Sequence, residues 1–462
     1  MYHPHYPNYE YYYYSLREIV DGTMLGVNVA DININIVGVI LALVISIFLI
    51  IKKLNPVLSM FLGVAAGAVF GTANLPQMMD IVVLGGRQVV GINIRIIAGG
   101  VLVGALIETG AAESIARGIV NGLGEKRSVL AIALSAMLVC GAGVFFPVTM
   151  LVIAPIALSV AHKANISKFA AILAASGGAK AGNIISPNPN SLAAAESFGL
   201  PLSQVMINGI IPSMVALVTT VILCNIVKAR YFKVDSKDLD GIADPSNLPS
   251  FGRAIVAPAV AIGLLMLNPV GDLTGIAFIN SVNFPMDPFY VLPLGAVIGI
   301  FAMGKGKGVA DIATKGVLRM APVVLMLFGA GSIGGLITTS VFPSMMEGAV
   351  AAAGVPAAFL APLSSTIFSS ATGSNAAGVI IGGESFAASV LAAGVPAMAG
   401  AVMLNVGGGF LDVVPHGNIF LASQQGMKCT MAERIKVMPL EAAVGGIMTA
   451  SAVIMYMIGF WS

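Results

Sequence analysis

Charge is what this 462-residue chain has least of: Asp, Glu, Lys and Arg make up 10% of it, where a soluble domain carries roughly a quarter. The formal net charge of +2 is spread thinly over loops and offers no basic or acidic face, which excludes nucleic acid as a partner. Three cysteines, Cys140, Cys224 and Cys429, lie in or beside apolar runs without CxxC spacing, so neither a disulfide framework nor a thiolate metal site is expected. No phosphate-cradling loop is present, and no serine shares a motif with a histidine or lysine base. Catalytic residues, cofactors and metal ligands are therefore not expected. What remains is apolar: 57% of residues are hydrophobic, and the mean hydropathy of +0.95 marks an all-α polytopic membrane protein.

The Tyr-rich start lacks the basic stretch followed by an apolar one that a signal or transit peptide would show, and residues 1–31 read instead as a disordered or interfacial tail. His3 and His5 within it have no acidic or cysteine neighbour that would make a metal site. Apolar runs able to cross about 30 Å of hydrocarbon fall near 32–51, 56–73, 92–108, 204–227, 252–270, 289–303, 320–338 and 437–459. The stretch 128–161 fits no single crossing, and its halves, at roughly 22 Å each, fit no pair of crossings. It reads as a re-entrant hairpin with cationic, hence cytoplasmic, flanks, while 356–393 reads as a second hairpin opening outward. The segments 111–124 and 341–354 read as interfacial arms or surface helices.

Two further stretches, 168–199 and 397–427, are interrupted at membrane depth by Ile184-Ile-Ser-Pro-Asn-Pro-Asn190 and Asp412-Val-Val-Pro-His-Gly-Asn418. Irregular backbone survives there only where it is buried in protein or lines a cavity, and paired breaks in two halves point to a shared binding site. Each stretch therefore reads as a broken helix, giving about ten transmembrane helices plus two re-entrant hairpins. A cytoplasmic linker, 229–251, separates the halves 32–228 and 252–462. Gly104-Ala-Leu-Ile-Glu-Thr109 aligns on Gly334-Gly-Leu-Ile-Thr-Thr339 at an offset of 230, and with five crossings per half the second copy must be inverted.

The ordered set Ile107-Glu-Thr-Gly-Ala-Ala-Glu113, Leu123-Gly-Glu-Lys126, Ala154-Pro-Ile-Ala157, Ser186-Pro-Asn-Pro-Asn-Ser-Leu-Ala-Ala-Ala195 and Ser370-Ala-Thr-Gly-Ser374 resembles the gluconate permease family of sugar-acid:proton symporters, within the ion transporter superfamily. The resemblance implies a scaffold, a transport core of two hairpins and two broken helices, a homodimer in membrane lipid, and an elevator mechanism in the inner membrane. It also implies a small organic anion as substrate. The chain departs from the family's pattern at both breaks, where Asn183, Asn188, Asn190 and the run 412–418 stand, so substrate and coupling ion stay open.

A carboxylate needs fixed donors in exchange for water, and helix N-termini at tips and breaks supply them. Candidates for binding it are Ser186, Asn188, Asn190 and Ser191 at the first break, Thr372, Gly373, Ser374 and Asn375 at the second tip, and Asn418 at the second break. Capping of the broken helices is the structural alternative for each. Lys180 is expected either to face the substrate carboxylate or to pair with Glu196 or Asp412, and Arg95 is similar but nearer a helix end. Glu108 and Glu113 are expected to flank the first arm. Proton coupling would use His416, Asp412 or Glu384, whereas sodium would take oxygen ligands from Asn190, Asn418, Ser374 or Thr372. The functions weighed are proton symport of a sugar or hydroxy acid and a sodium-coupled carrier or exchanger of di-, tri- or short-chain carboxylates. A channel and an intramembrane hydrolase are disfavoured.

Overall fold

Backbone groups surrounded by hydrocarbon must satisfy one another, which leaves helices as the economical way to fold apolar runs of this length. A computed structural model describes residues 23–461 apart from 25, 30, 53, 241–246, 275–285 and 353–355. The tail reading falls largely on residues 1–22, outside the described residues. Within the rest of the tail, Thr23–Met24 and Val27–Asn28 pair as a short antiparallel ladder.

In the first half the helices are α1 (Ile36–Ile51), α2 (Pro56–Phe70), α3 (Leu75–Gln88), α4 (Val90–Glu108), α5 (Ala111–Leu123), α6 (Ser128–Gly141), α7 (Phe146–Lys163), α8 (Lys168–Ile184), α9 (Pro189–Ser197), α10 (Leu202–Asn208) and α11 (Ile210–Val227). In the second half they are α12 (Val256–Thr274), α13 (Pro288–Ala302), α14 (Val309–Thr338), α15 (Phe342–Ala352), α16 (Leu360–Thr372), α17 (Asn375–Ala392), α18 (Ala397–Gly408), α19 (Asn418–Gly426) and α20 (Met431–Met457). Shifted by 230 residues, the boundaries of α2 to α11 fall within four residues of those of α13 to α20, with α3 and α4 together matching α14 and α10 and α11 together matching α20. The exception is the end of α8, because the second break (409–417) is longer than the first (185–188).

Among the described residues, six helices are long and apolar enough to cross a membrane: α4, α7, α11, α14 with its preceding turn, α17 and α20. Each hairpin pairs one of these with a shorter partner, α6 with α7 and α16 with α17, so the arms are unequal rather than halved. Their turns need glycine, with Gly143 at φ +111° and Gly373 at +66°.

Three boundaries differ from the hydropathy reading. Helix α3 was not expected, because its 14 residues include Asp80 and Arg87 on an amphipathic face. Helix α14 begins at Val309 rather than near 320, its early cations neutralised by Lys315–Asp311 at 2.8 Å and Arg319–Glu108 at 2.5 Å. Helix α20 begins at Met431 rather than near 437, because Arg434 is buried against Glu441.

Close packing relies on absent side chains. A Cβ on Gly178 or Gly182 of α8 would run into the carbonyl oxygens of Ala133 and Met137 on α6, and Gly85, Gly331 and Gly335 do the same for α3 against α14. Helices α1 to α4 pack with α12 to α14, while α6, α8 and α11 pack together and α18 packs on both α16 and α20. The halves interlock where α9 packs on α17 and α19 on α7.

Candidate functional site

Helix α8 stops at Ile184, and the chain restarts at Pro189, whose missing N–H costs nothing in a first turn. Asn188 caps the restart, its Oδ1 accepting from the N–H groups of Asn190 (3.0 Å) and Ser191 (3.1 Å), while its Nδ2 donates to the carbonyl and side-chain oxygens of Asn183 (both 2.7 Å). The Ser186 hydroxyl donates to Cys140 O at 2.7 Å, fastening the first break to the tip of the α6–α7 hairpin.

The second break meets the second tip in the same way. Asn418 N donates to Gly373 O at 3.2 Å, the His416 ring nitrogen lies 3.3 Å from Ala371 O, and a Cβ on Gly373 would come within 2.7 Å of Gly417 Cα. Ser374 caps α17 by accepting from Ala377 N, and Thr372 donates back to Phe368 O at 2.7 Å.

The breaks also reach each other. The Lys180 ammonium donates to Gly409 O at 2.6 Å and forms a buried ion pair with Asp412, whose second oxygen accepts from Asn375 Nδ2 at 3.3 Å. In return, Asn405 of α18 donates to Ile184 O (3.4 Å) and to the Ser191 hydroxyl (3.2 Å) at the first break. Of the two partners weighed for Lys180, the structure selects Asp412, because Glu196 is taken by Arg95 at 3.0 Å. Arg95 also pairs with Asp287 at 2.9 Å, which joins α4, α9 and the start of α13.

Ser186, Asn188, Asn190, Ser191, Lys180, Gly373, Ser374, Asn375 and Asp412 are buried, whereas Thr372, His416 and Asn418 are partly accessible. Glu384 is buried apart from the breaks: it lies nine residues, about 13 Å, along α17 from Asn375 and faces Gly334 of α14. Glu113 pairs with Arg117 on α5 (3.0 Å), and Glu108 with Arg319.

Buried polar atoms normally find partners, so those without one mark places where something polar is expected. Five of the buried side-chain atoms lacking a partner are Asn183 Nδ2, Asn190 Oδ1, Asn375 Oδ1, Asn405 Oδ1 and Asn418 Oδ1, all at the breaks, the second tip or the turn of α18 that reaches the first break. A separate cavity of about 540 Å³ touches the first break at Ile185 and the first tip at Gly141 and Ala142, but its wall is apolar, with Met137, Ile210 and Met266.

Asn405 was not singled out in the sequence. Its signal is a lone amide in the otherwise apolar run of α18, where an unpaired polar group is costly. Arg434 and Glu441 were likewise missed, although seven residues separate them on α20 and so place them on one face.

A family model described as GntP family permease matches residues 34–459. A Haemophilus influenzae protein described as an uncharacterized transporter is 39% identical over 424 residues, covering 92% of this chain and 98% of its own. The gluconate permease of Pseudomonas aeruginosa is 28% identical over 302 residues, covering 60% of this chain and 65% of its own. Among solved structures, the crystal structure of the Alcanivorax borkumensis YdaH transporter, described as having an unusual topology, aligns with a TM-score of 0.58 at 14% identity over 90% of this chain and 99% of that one, a likeness of fold.

Proposed function

The chain belongs to the GntP family of permeases, a multi-pass transporter of the inner membrane and not an enzyme, and on that premise we propose that it imports a sugar acid or hydroxy acid such as gluconate by proton symport. The observation that carries the substrate class is the set of unpartnered amide atoms around the breaks. Four of the five are carbonyl oxygens, of Asn190, Asn375, Asn405 and Asn418, and one, Asn183 Nδ2, is a donor. An acceptor-rich site suits a ligand whose chain carries hydroxyl donors, and a bare dicarboxylate has none to offer. The ligand's single carboxylate then turns to the backbone N–H groups in the first turns of α17 and α19, because those that begin α9 are taken by Asn188.

The recurrence of helix boundaries at an offset of 230 supports two inverted repeats of five crossings each. The hairpins and broken helices are the elements proposed to move as an elevator core in each protomer of a dimer, against a scaffold of α1 to α4 and α12 to α14. The polar side chains of the first break are buried while Thr372, His416 and Asn418 at the second tip and break are partly accessible, as suits a carrier open toward one face at a time. The proton is assigned to Asp412 or His416, which face the second tip, rather than to the more distant Glu384.

The test is competition for radiolabelled gluconate uptake into proteoliposomes. Gluconate and glycerate should compete, whereas citrate and succinate should not. Uptake of succinate or citrate without gluconate would overturn the assignment.

A further inference from the structure

Lys180 is fully buried, yet it belongs to one half of the chain and spends its charge in the break of the other. Its surroundings are those of a small cation. The acceptors are a backbone carbonyl, Gly409 O at 2.6 Å, and the Asp412 carboxylate. Gly409 closes α18, so the ammonium also sits at a helix C-terminus, where unpaired carbonyls concentrate partial negative charge. A third oxygen is close by: Asn375 uses its Nδ2 on Asp412, and its own Oδ1 is buried, unpartnered and directed at the last turn of α18, where a Cβ on Gly408 would lie 2.6 Å from it. Unwound carbonyls, half-helix C-termini and a carboxylate are the oxygen set with which broken helices hold a transported alkali cation.

We infer that the Lys180 ammonium is a tethered cation: it fills, from the opposite half of the chain, a position at the second break built to hold a free sodium ion, and thereby makes that break independent of sodium. The inference rests on reading the breaks as the transport site, and it decides between the two coupling ions there. The first break shows the contrast, because the side chain that reaches into it from the other half is the neutral amide of Asn405 and, among the described residues, no cation is hydrogen-bonded to its oxygens. Removing the ammonium while keeping Asp412, Gly409 O and Asn375 leaves a net negative, oxygen-lined pocket that a sodium ion satisfies.

The test is thermal melting of purified protein in sodium chloride against choline chloride at equal ionic strength, which needs no substrate and so is unaffected if the organic-acid assignment fails. The wild type should melt at the same temperature in both salts. Lys180→Ala should melt about 3 °C or more higher in saturating sodium, since a ligand that binds only the folded state stabilises it. The double variant Lys180→Ala with Asp412→Asn should lose that response. A folded Lys180→Ala indifferent to sodium, or a wild type stabilised by sodium, would overturn the inference. Should Lys180→Ala not fold in either salt, the wild type decides: equal melting in sodium and choline supports a filled site, and a sodium response refutes it.

Discussion

Glu441→Gln should destabilise the protein severely, although its target lies away from the breaks. On α20, Arg434 and Glu441 form a bidentate ion pair at 2.6 and 2.9 Å with neither side chain exposed. The guanidinium also donates to Ser423 of α19 at 2.6 Å and sits 4.9 Å from the Phe420 ring, so the pair holds the second half of the second broken helix against α20. Withdrawing one charge strands the other without water, at a cost of about 3–5 kcal/mol. Arg434→Met should cost a similar amount. The double variant Arg434→Met with Glu441→Leu removes both desolvation penalties and should recover most of the loss, because a buried pair replaced by apolar side chains of similar volume is often neutral or stabilising. A double-mutant cycle on thermal melts in detergent measures the coupling. Single variants costing less than about 1 kcal/mol, or a double variant no more stable than the singles, would refute this account of the helix contact.

Three further predictions concern the site and its supports. Gly182→Leu should abolish uptake and cost about 1–3 kcal/mol, because its side chain drives α8 off the hairpin arm at Met137; melting and uptake of the purified variant check this. Asn188→Ala removes two bonds to Asn183 and the cap of α9, so uptake should fall at least about tenfold with a stability loss of about 1–2 kcal/mol, and preserved uptake would show the cap to be dispensable. At the α19–α20 junction, burial pushes the Cys429 thiol up to about 11, and since only the thiolate attacks, maleimide labelling should be slow at pH 8 and quicken about tenfold per pH unit up to that value; rapid labelling at pH 8 would contradict its burial.

The family and the helical membrane class were legible because they follow from composition and from motifs in fixed order. Prolines and asparagines within apolar runs are visible as interruptions, and the helices stop at Ile184 and at Gly408, close to those residues. Amphipathic and charge-bearing helical turns were not legible by hydropathy. Helix α3 carries its own charges, and the starts of α14 and α20 carry cations whose partners come from elsewhere in the fold or from later on the same helix. Which residues meet across the halves was also beyond reach. Lys180 could pair with Glu196 or Asp412 until Arg95 was seen to occupy Glu196, and Asn405 gains its meaning only from lying beside Ile184 and Ser191.

The most direct measurement is uptake of radiolabelled gluconate into proteoliposomes under an inward proton gradient or an inward sodium gradient, imposed separately. Accumulation is expected with the proton gradient alone, unchanged when choline replaces sodium. Accumulation that requires sodium would contradict both proton coupling and the tethered cation, and no accumulation of any organic acid would contradict the anion-carrier reading itself.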